Sequence, residues 1–231
     1  MQFIIGGLQK TSLLDYPDKV SAIVFTQGCN FNCGYCHNPS LINFQSKNDI
    51  SIDVFFDFLQ KRKGKLDGVV ITGGEPTLQK DLKSFIKQIK NMGYLVKLDT
   101  NGSNPFILQE LINEKLVDYV AMDIKAPIDK YSVVVRQKID IDNIKKSINI
   151  ILNSNIDYEY RTTVLPSLLK MEDFEEIGFL IKGAKKYYIQ KFEVQSKIND
   201  SSLAKELNYS DNDLNSIVVI MSKYVKYVEI R

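Results

Sequence analysis

Apolar, β-branched runs at residues 20–25, 68–71, 94–98, 119–122, 158–165 and 191–194 alternate with stretches of helical periodicity at 53–63, 82–92, 106–115, 143–153, 172–182 and 211–223. Short apolar runs suit buried strands, and apolar positions spaced by three and four suit helices packed on them. The chain therefore reads as six βα units. Punctuation agrees: Gly93 and Gly183 follow two of the helical stretches as C-caps, and Asn104-Pro105 opens a third. Runs such as Val69-Val70-Ile71 and Tyr119-Val120-Ala121-Met122 are apolar nearly throughout, as parallel strands are when helices cover both faces. Right-handed crossovers would curl six units into most of a barrel, short of the eight strands that close one. The expected fold class is α/β, a partial (βα)6 TIM-like barrel. Segment 3–14, with Gly6-Gly7 in it, is expected to add a hairpin or edge strand, and no linker or low-complexity tract divides 1–231, so a single domain is expected.

In such architectures functional residues gather beyond the carboxyl ends of the strands. The first run leads into Thr26-Gln27-Gly28 and a cysteine-rich loop, and the second into Thr72-Gly73-Gly74-Glu75-Pro76. The third leads into Asp99-Thr100-Asn101-Gly102, the fourth into Asp123-Ile124-Lys125, and the sixth into Gln195-Ser196, while the fifth carries Arg161 and Thr163. Loops are polar in any protein, and Asn101-Gly102 reads equally as a turn. Asp123 and Lys125 are different, because alternation puts an acid and a base on one side of an apolar strand end, where a buried pair needs a reason. Arg161, inside a strand, suggests an anionic ligand such as a carboxylate, with an exposed edge-strand position as the alternative.

The charge balance, 30 basic against 28 acidic residues, gives no electrostatic case for nucleic acid as the main ligand. The amino terminus lacks a charged segment followed by a long apolar one, and no run approaches the roughly 20 residues that span a bilayer. A cytoplasmic protein with no membrane partner is expected. All 3 cysteines and the single histidine lie in Gly28-Cys29-Asn30-Phe31-Asn32-Cys33-Gly34-Tyr35-Cys36-His37. Thiols clustered in this way in a reducing compartment bind metal more often than they form a disulfide framework.

A closed zinc site would need His37 as a fourth ligand beside the adjacent Cys36, and zinc modules usually bring their ligands in two separated pairs. A four-iron cluster normally takes four thiolates. With three, one iron stays open.

Cys29, Cys33 and Cys36, with Tyr35 before the third cysteine, together with Gly73-Gly74-Glu75-Pro76 after the second strand, make the chain resemble the radical S-adenosylmethionine (SAM) enzymes. The resemblance implies a fold of the radical SAM type and a [4Fe-4S] cluster on Cys29, Cys33 and Cys36, with SAM chelating the open iron. It further implies that Gly73 and Gly74 allow close backbone approach, that Glu75 meets the SAM ammonium group, and that Asp99 lies near the ribose or methionine end. Asp123 and Lys125 would line the site, and Arg161 would meet the carboxylate or ribose. The backbone from Tyr35 to His37 would meet adenine, and Gln195 would be a further cofactor contact. Within the superfamily, the stretches 10–41, 67–79, 97–105, 118–127 and 160–166 resemble glycyl-radical-enzyme activases, specifically those acting on anaerobic ribonucleoside-triphosphate reductase. A large glycyl radical enzyme and a flavodoxin or ferredoxin donor are the implied partners. The alternatives are an activase of pyruvate formate-lyase type, a small-molecule radical SAM enzyme, and a zinc-stabilised binding protein without catalysis.

Overall fold

The apolar runs become strands and the periodic stretches become helices on them. The computed structural model describes residues 3–44, 50–193 and 198–231. Its strands are β1 (Ile5–Ser12), β2 (Ser21–Thr26), β3 (Gly68–Gly73), β4 (Leu95–Thr100), β5 (Tyr119–Asp123), β6 (Asp157–Val164), β7 (Tyr187–Lys191) and β8 (Val228–Ile230), in chain order across one sheet. The helices between them are α1 (Ile52–Lys61), α2 (Leu82–Asn91), α3 (Pro105–Asn113), α4 (Tyr131–Val134), α5 (Ile141–Leu152), α6 (Asp173–Leu180) and α7 (Asp211–Met221). Every strand from β2 to β7 is thus followed by a helix before the next strand begins. Among the described residues no helix is long and apolar enough to cross a membrane.

The chain divides into two compact units. The first holds Met1–Asn30, Ser40–Thr100 and Phe106–Val120. Here β1 runs antiparallel to β2, pairing Ile5 with Thr26, and β2, β3 and β4 run parallel, with Thr26 opposite Gly73 and Ile71 opposite Leu98. Ser51 caps α1 by accepting the Val54 N–H at 3.2 Å, and α1 buries Phe55 and Leu59. Helix α2 buries Leu82, Phe85, Ile86 and Ile89, a three-and-four spacing that makes one apolar stripe. Phe85 stacks on Phe3 at 3.8 Å and on Phe55 at 5.1 Å, so one ring joins the helix pair to the amino-terminal segment. Tyr16, from the connection between β1 and β2, packs with Ile23, Val70 and Tyr119 of three strands in a further apolar cluster.

The second unit holds Phe31–Pro39, Asn101–Pro105 and Ala121–Arg231. Strands β6, β7 and β8 are parallel, with Val164 opposite Lys191 and Ile189 opposite Ile230. Helix α5 buries Ile144, Ile148 and Ile151, and the buried Tyr160 hydroxyl donates to the Ile148 carbonyl at 2.9 Å. A capping box between Ser210 and Asp213 starts α7.

The expected strand at 191–194 is corrected to Tyr187–Lys191, with Phe192 and Glu193 beyond its end and residue 194 outside the described residues. Lysines at 185, 186 and 191 flank this strand and disguise it, yet Tyr187 and Ile189 are fully buried. Strand β8 and helix α4, at three and four residues, are too short to leave a periodic signal. Segment 3–14 supplies β1, the antiparallel partner of β2.

Candidate functional site

In the first unit the end of β3 is laced to the backbone leading into the first cysteine. Gly74 N–H donates to Thr26 O and Glu75 N–H to Gly28 O, both at 2.8 Å. Gly28 N–H in turn donates to Leu41 O at 2.8 Å, and Cys29 N–H to Ile42 O at 2.9 Å. This closeness demands glycine: a Cβ on Gly74 would stand 2.1 Å from the Gly28 oxygen, and Gly73 sits at φ +114°. Glu75 follows, completely buried, and its Oε1 accepts from Thr77 N–H (3.1 Å), Thr77 Oγ1 (2.6 Å) and Thr100 Oγ1 (2.7 Å). A buried carboxylate requires such donors, because dry surroundings would otherwise penalise its charge. On β4, Asp99 meets Lys97 at 2.6 Å, and the Lys97 ammonium lies 5.9 Å from the centre of the Tyr119 ring.

In the second unit Cys33 is buried and Cys36 half-buried, and a turn joins them through Cys36 N–H to Cys33 O at 3.1 Å. Asp123 stands between two cations, with Oδ2 2.9 Å from Lys125 Nζ and Oδ1 3.0 Å from Arg161 Nε. Burial alone would push the Asp123 carboxyl up, but Arg161 and Lys125 overcome it and hold the carboxyl down at about 2. Burial likewise works against the Lys125 ammonium, and Asp123 more than offsets it, so Lys125 stays charged well above the ordinary lysine range. That ammonium lies 5.7 Å from the centre of the Tyr35 ring. Burial pushes the Cys33 thiol up, against the pull of Lys125. Tyr131 supports the strand end, accepting from Lys125 N–H at 3.3 Å and donating to Asp123 O at 3.4 Å. His37 presents its ring to Phe192 edge-on at 5.7 Å.

Several of the sequence expectations meet here. Asp123 and Lys125 do share a side of the strand end, and Arg161 lies inside the sheet, where Asp123 of the same chain is a carboxylate it meets. Gln195 lies outside the described residues. Sequence reasoning missed Thr77 and Tyr131, which serve Glu75 and the end of β5, and placed Thr100 at a strand end without a role. Lys97 was absorbed into an apolar run, although its alternation with Asp99 carried the signal. Among the described residues no group of His, Cys, Asp and Glu side chains converges as the ligands of a single metal ion.

The family model of the Radical SAM superfamily matches residues 23–182, more than half of the chain. The chain belongs to the radical SAM superfamily. A Methanocaldococcus jannaschii protein, named provisionally as a glycyl-radical enzyme activating enzyme, is 38% identical over the whole of this chain and 97% of its own. That likeness places this radical SAM protein among the glycyl-radical enzyme activating enzymes, and membership of an enzyme family displaces the zinc-module reading. The pyruvate formate-lyase-activating enzyme of Clostridium pasteurianum is 28% identical over 78% of this chain and 76% of its own. In fold the chain is similar to Streptococcus suis SuiB bound to S-adenosylmethionine, with a TM-score of 0.65 at 14% identity, covering 88% of this chain and 48% of SuiB. The fold is accordingly α/β of the radical SAM type, the partial (βα)6 TIM-like barrel expected from six strand–helix units.

The radical SAM family implies a [4Fe-4S] cluster and SAM, and the residues present fit both. All three thiols are outside disulfides, and Lys125 favours the Cys33 thiolate against the larger opposing effect of burial. The glycine pair, which a Cβ would obstruct, brings bare backbone to the approach to Cys29. Glu75 supplies a desolvated carboxylate suited to an ammonium group, and Lys125 with Arg161 supplies cations suited to a carboxylate.

Proposed function

We propose that this protein activates anaerobic ribonucleoside-triphosphate reductase by generating a glycyl radical on it. Cys29, Cys33 and Cys36 hold a [4Fe-4S] cluster whose fourth iron is left to SAM. When bound, cluster and cofactor supply one-electron cleavage of a sulfonium carbon–sulfur bond, and with it the carbon radical that removes a glycine hydrogen. The protein's own task is to bind, orient and exclude water.

Glu75 takes the SAM ammonium, with Thr77 and Thr100 fixing its carboxylate so that little reorganisation accompanies binding. Arg161 and Lys125 take the SAM carboxylate. Asp123 keeps both cations in place and prevents two positive charges from facing each other unneutralised. Asp99, fixed by Lys97, serves the ribose or methionine end, and the backbone from Tyr35 to His37 meets adenine. Gln195 is assigned a further cofactor contact, and residues 1–231 act as one catalytic domain. A flavodoxin or ferredoxin supplies the electron.

The observation that carries this reading is the lacing of Gly74 and Glu75 to Thr26 and Gly28, which ties a buried carboxylate to the backbone beside the first cysteine. Choice of the reductase rests on the resemblance of the stretches 10–41, 67–79, 97–105, 118–127 and 160–166. The likeness to the Clostridium pasteurianum enzyme supports a second reading, in which a pyruvate formate-lyase is the target. The test is anaerobic: cluster-loaded protein, SAM and a reductant are mixed separately with the reductase and with a pyruvate formate-lyase. An electron paramagnetic resonance doublet from glycine on the reductase is expected. A doublet on pyruvate formate-lyase alone would replace the first reading by the second.

A further inference from the structure

The turn bearing Cys33 and Cys36 is crossed by a segment far along the chain. Asn199 N–H donates to Cys36 O at 3.1 Å, and Asp200 N–H to Gly34 O at 2.8 Å. The Asn199 side-chain amide adds bonds to Asn32 Oδ1 (2.8 Å), Cys33 O (3.1 Å) and Asn32 O (3.3 Å). From another side, Asn32 N–H donates to Val135 O at 2.9 Å. The next residue, Arg136, completes the arrangement by pairing its guanidinium with Asp200.

The parts are fitted to one another. Asp200 Oδ1 accepts from Ser202 N–H (3.0 Å) and Ser202 Oγ (2.6 Å), which opens a short helical turn that buries Leu203. Ser202 and Arg136 together hold the Asp200 carboxyl at about 2, so the pair is charged throughout the neutral range. A Cβ on Gly34 would lie 2.7 Å from the Arg136 guanidinium and 3.0 Å from Leu203 Cδ1, so the loop is glycine where the segment closes on it. Arg136 itself is left-handed, at φ +52°. A residue with a side chain adopts that conformation at a cost, and it persists where surrounding contacts fix it.

The bonds from Asn199 and from the Asp200 N–H fall on main-chain groups of Asn32, Cys33, Gly34 and Cys36 and on the Asn32 side chain, not on the sheet. Two thiols meant for neighbouring positions on one cluster need their backbone held to within a fraction of an ångström, and this loop has no regular structure of its own. We propose that Asn199 and the Arg136–Asp200 pair are positioning residues for the cluster, forming a strap that sets the cysteine turn before iron arrives and slows iron loss afterwards. This rests on Cys33 and Cys36 being cluster ligands.

The test compares Asn199→Ala and Arg136→Gly with the unaltered chain. Glycine accepts the left-handed backbone, so Arg136→Gly removes the latch while the cluster-free fold melts no lower than before. One readout is hydrogen exchange of the Asn32, Cys36, Asn199 and Asp200 amides in the cluster-free chain. The other is the rate at which an iron chelator bleaches the reconstituted cluster. Both rates are expected to rise roughly tenfold in each variant, as loss of one or two hydrogen bonds implies. Unchanged rates would overturn the proposal, as would acceleration appearing only together with a matching fall in melting temperature. If even the unaltered chain takes up no iron and sulfide, the cluster reading fails, and amide exchange alone decides the strap.

Discussion

Glu75 and Asp123 are both carboxylates at strand ends, and the protein treats them in opposite ways. Glu75 sits in the first unit among neutral donors, the Thr77 N–H and the hydroxyls of Thr77 and Thr100. Asp123 sits in the second unit between Lys125 and Arg161, and these three side chains together carry one net positive charge. Neutral donors solvate an anion without bringing charge of their own, whereas the two cations about Asp123 bring more charge than its carboxylate cancels.

The first way to break the comparison is to strip charge from the second unit. Asp123→Asn leaves Lys125 and Arg161 facing each other in a half-buried place, and is expected to destabilise the cluster-free chain by about 3 kcal/mol in urea unfolding. A loss below about 1 kcal/mol would mean that water already screens the two cations. In the first unit the constraint is steric. Gly74→Ala forces a methyl against the Gly28 carbonyl and is expected to cost about 3 kcal/mol and to abolish cluster reconstitution, read from iron content and visible absorbance.

Acid tests the same contrast without mutation. Folding lowers the Asp123 carboxyl from an unfolded value near 4 to about 2. Its contribution is therefore complete above about pH 4 and disappears as pH falls through about 2, a loss of about 2 kcal/mol. Urea unfolding of the cluster-free chain between pH 6 and pH 2 should show this dependence, flattened in Asp123→Asn. The smallest effect is expected from Thr100→Val, which removes one neutral donor from Glu75: about 1 kcal/mol of stability, with the melting curve otherwise unchanged.

Much of this was legible in the sequence where local pattern and function coincide. The apolar runs at 68–71 and 119–122 are strands because nothing polar interrupts them, and in a parallel fold their ends announce where chemistry gathers. The pairing of Asp123 with Lys125 followed from alternation alone. Other features depend on partners that local pattern does not reveal. Asn199 reaches Asn32 across 167 positions, and no composition or periodicity in 198–206 marks it. Lys97 was hidden for the opposite reason, since a charged residue within an apolar run passes for an interruption until its partner two positions on is noticed. Strand β7 was displaced because lysines surround its buried tyrosines.

The proposed role of Glu75 toward the SAM ammonium group is open to one decisive measurement, the affinity of the cluster-loaded protein for SAM and for a SAM analogue lacking the amino group, each measured with Glu75→Gln beside the unaltered chain. Glu75→Gln is expected to weaken SAM binding by about tenfold or more and to leave the amino-less analogue bound as before. Equal weakening of both ligands would contradict it, because Glu75 would then be supporting the fold of the site and not the ammonium group.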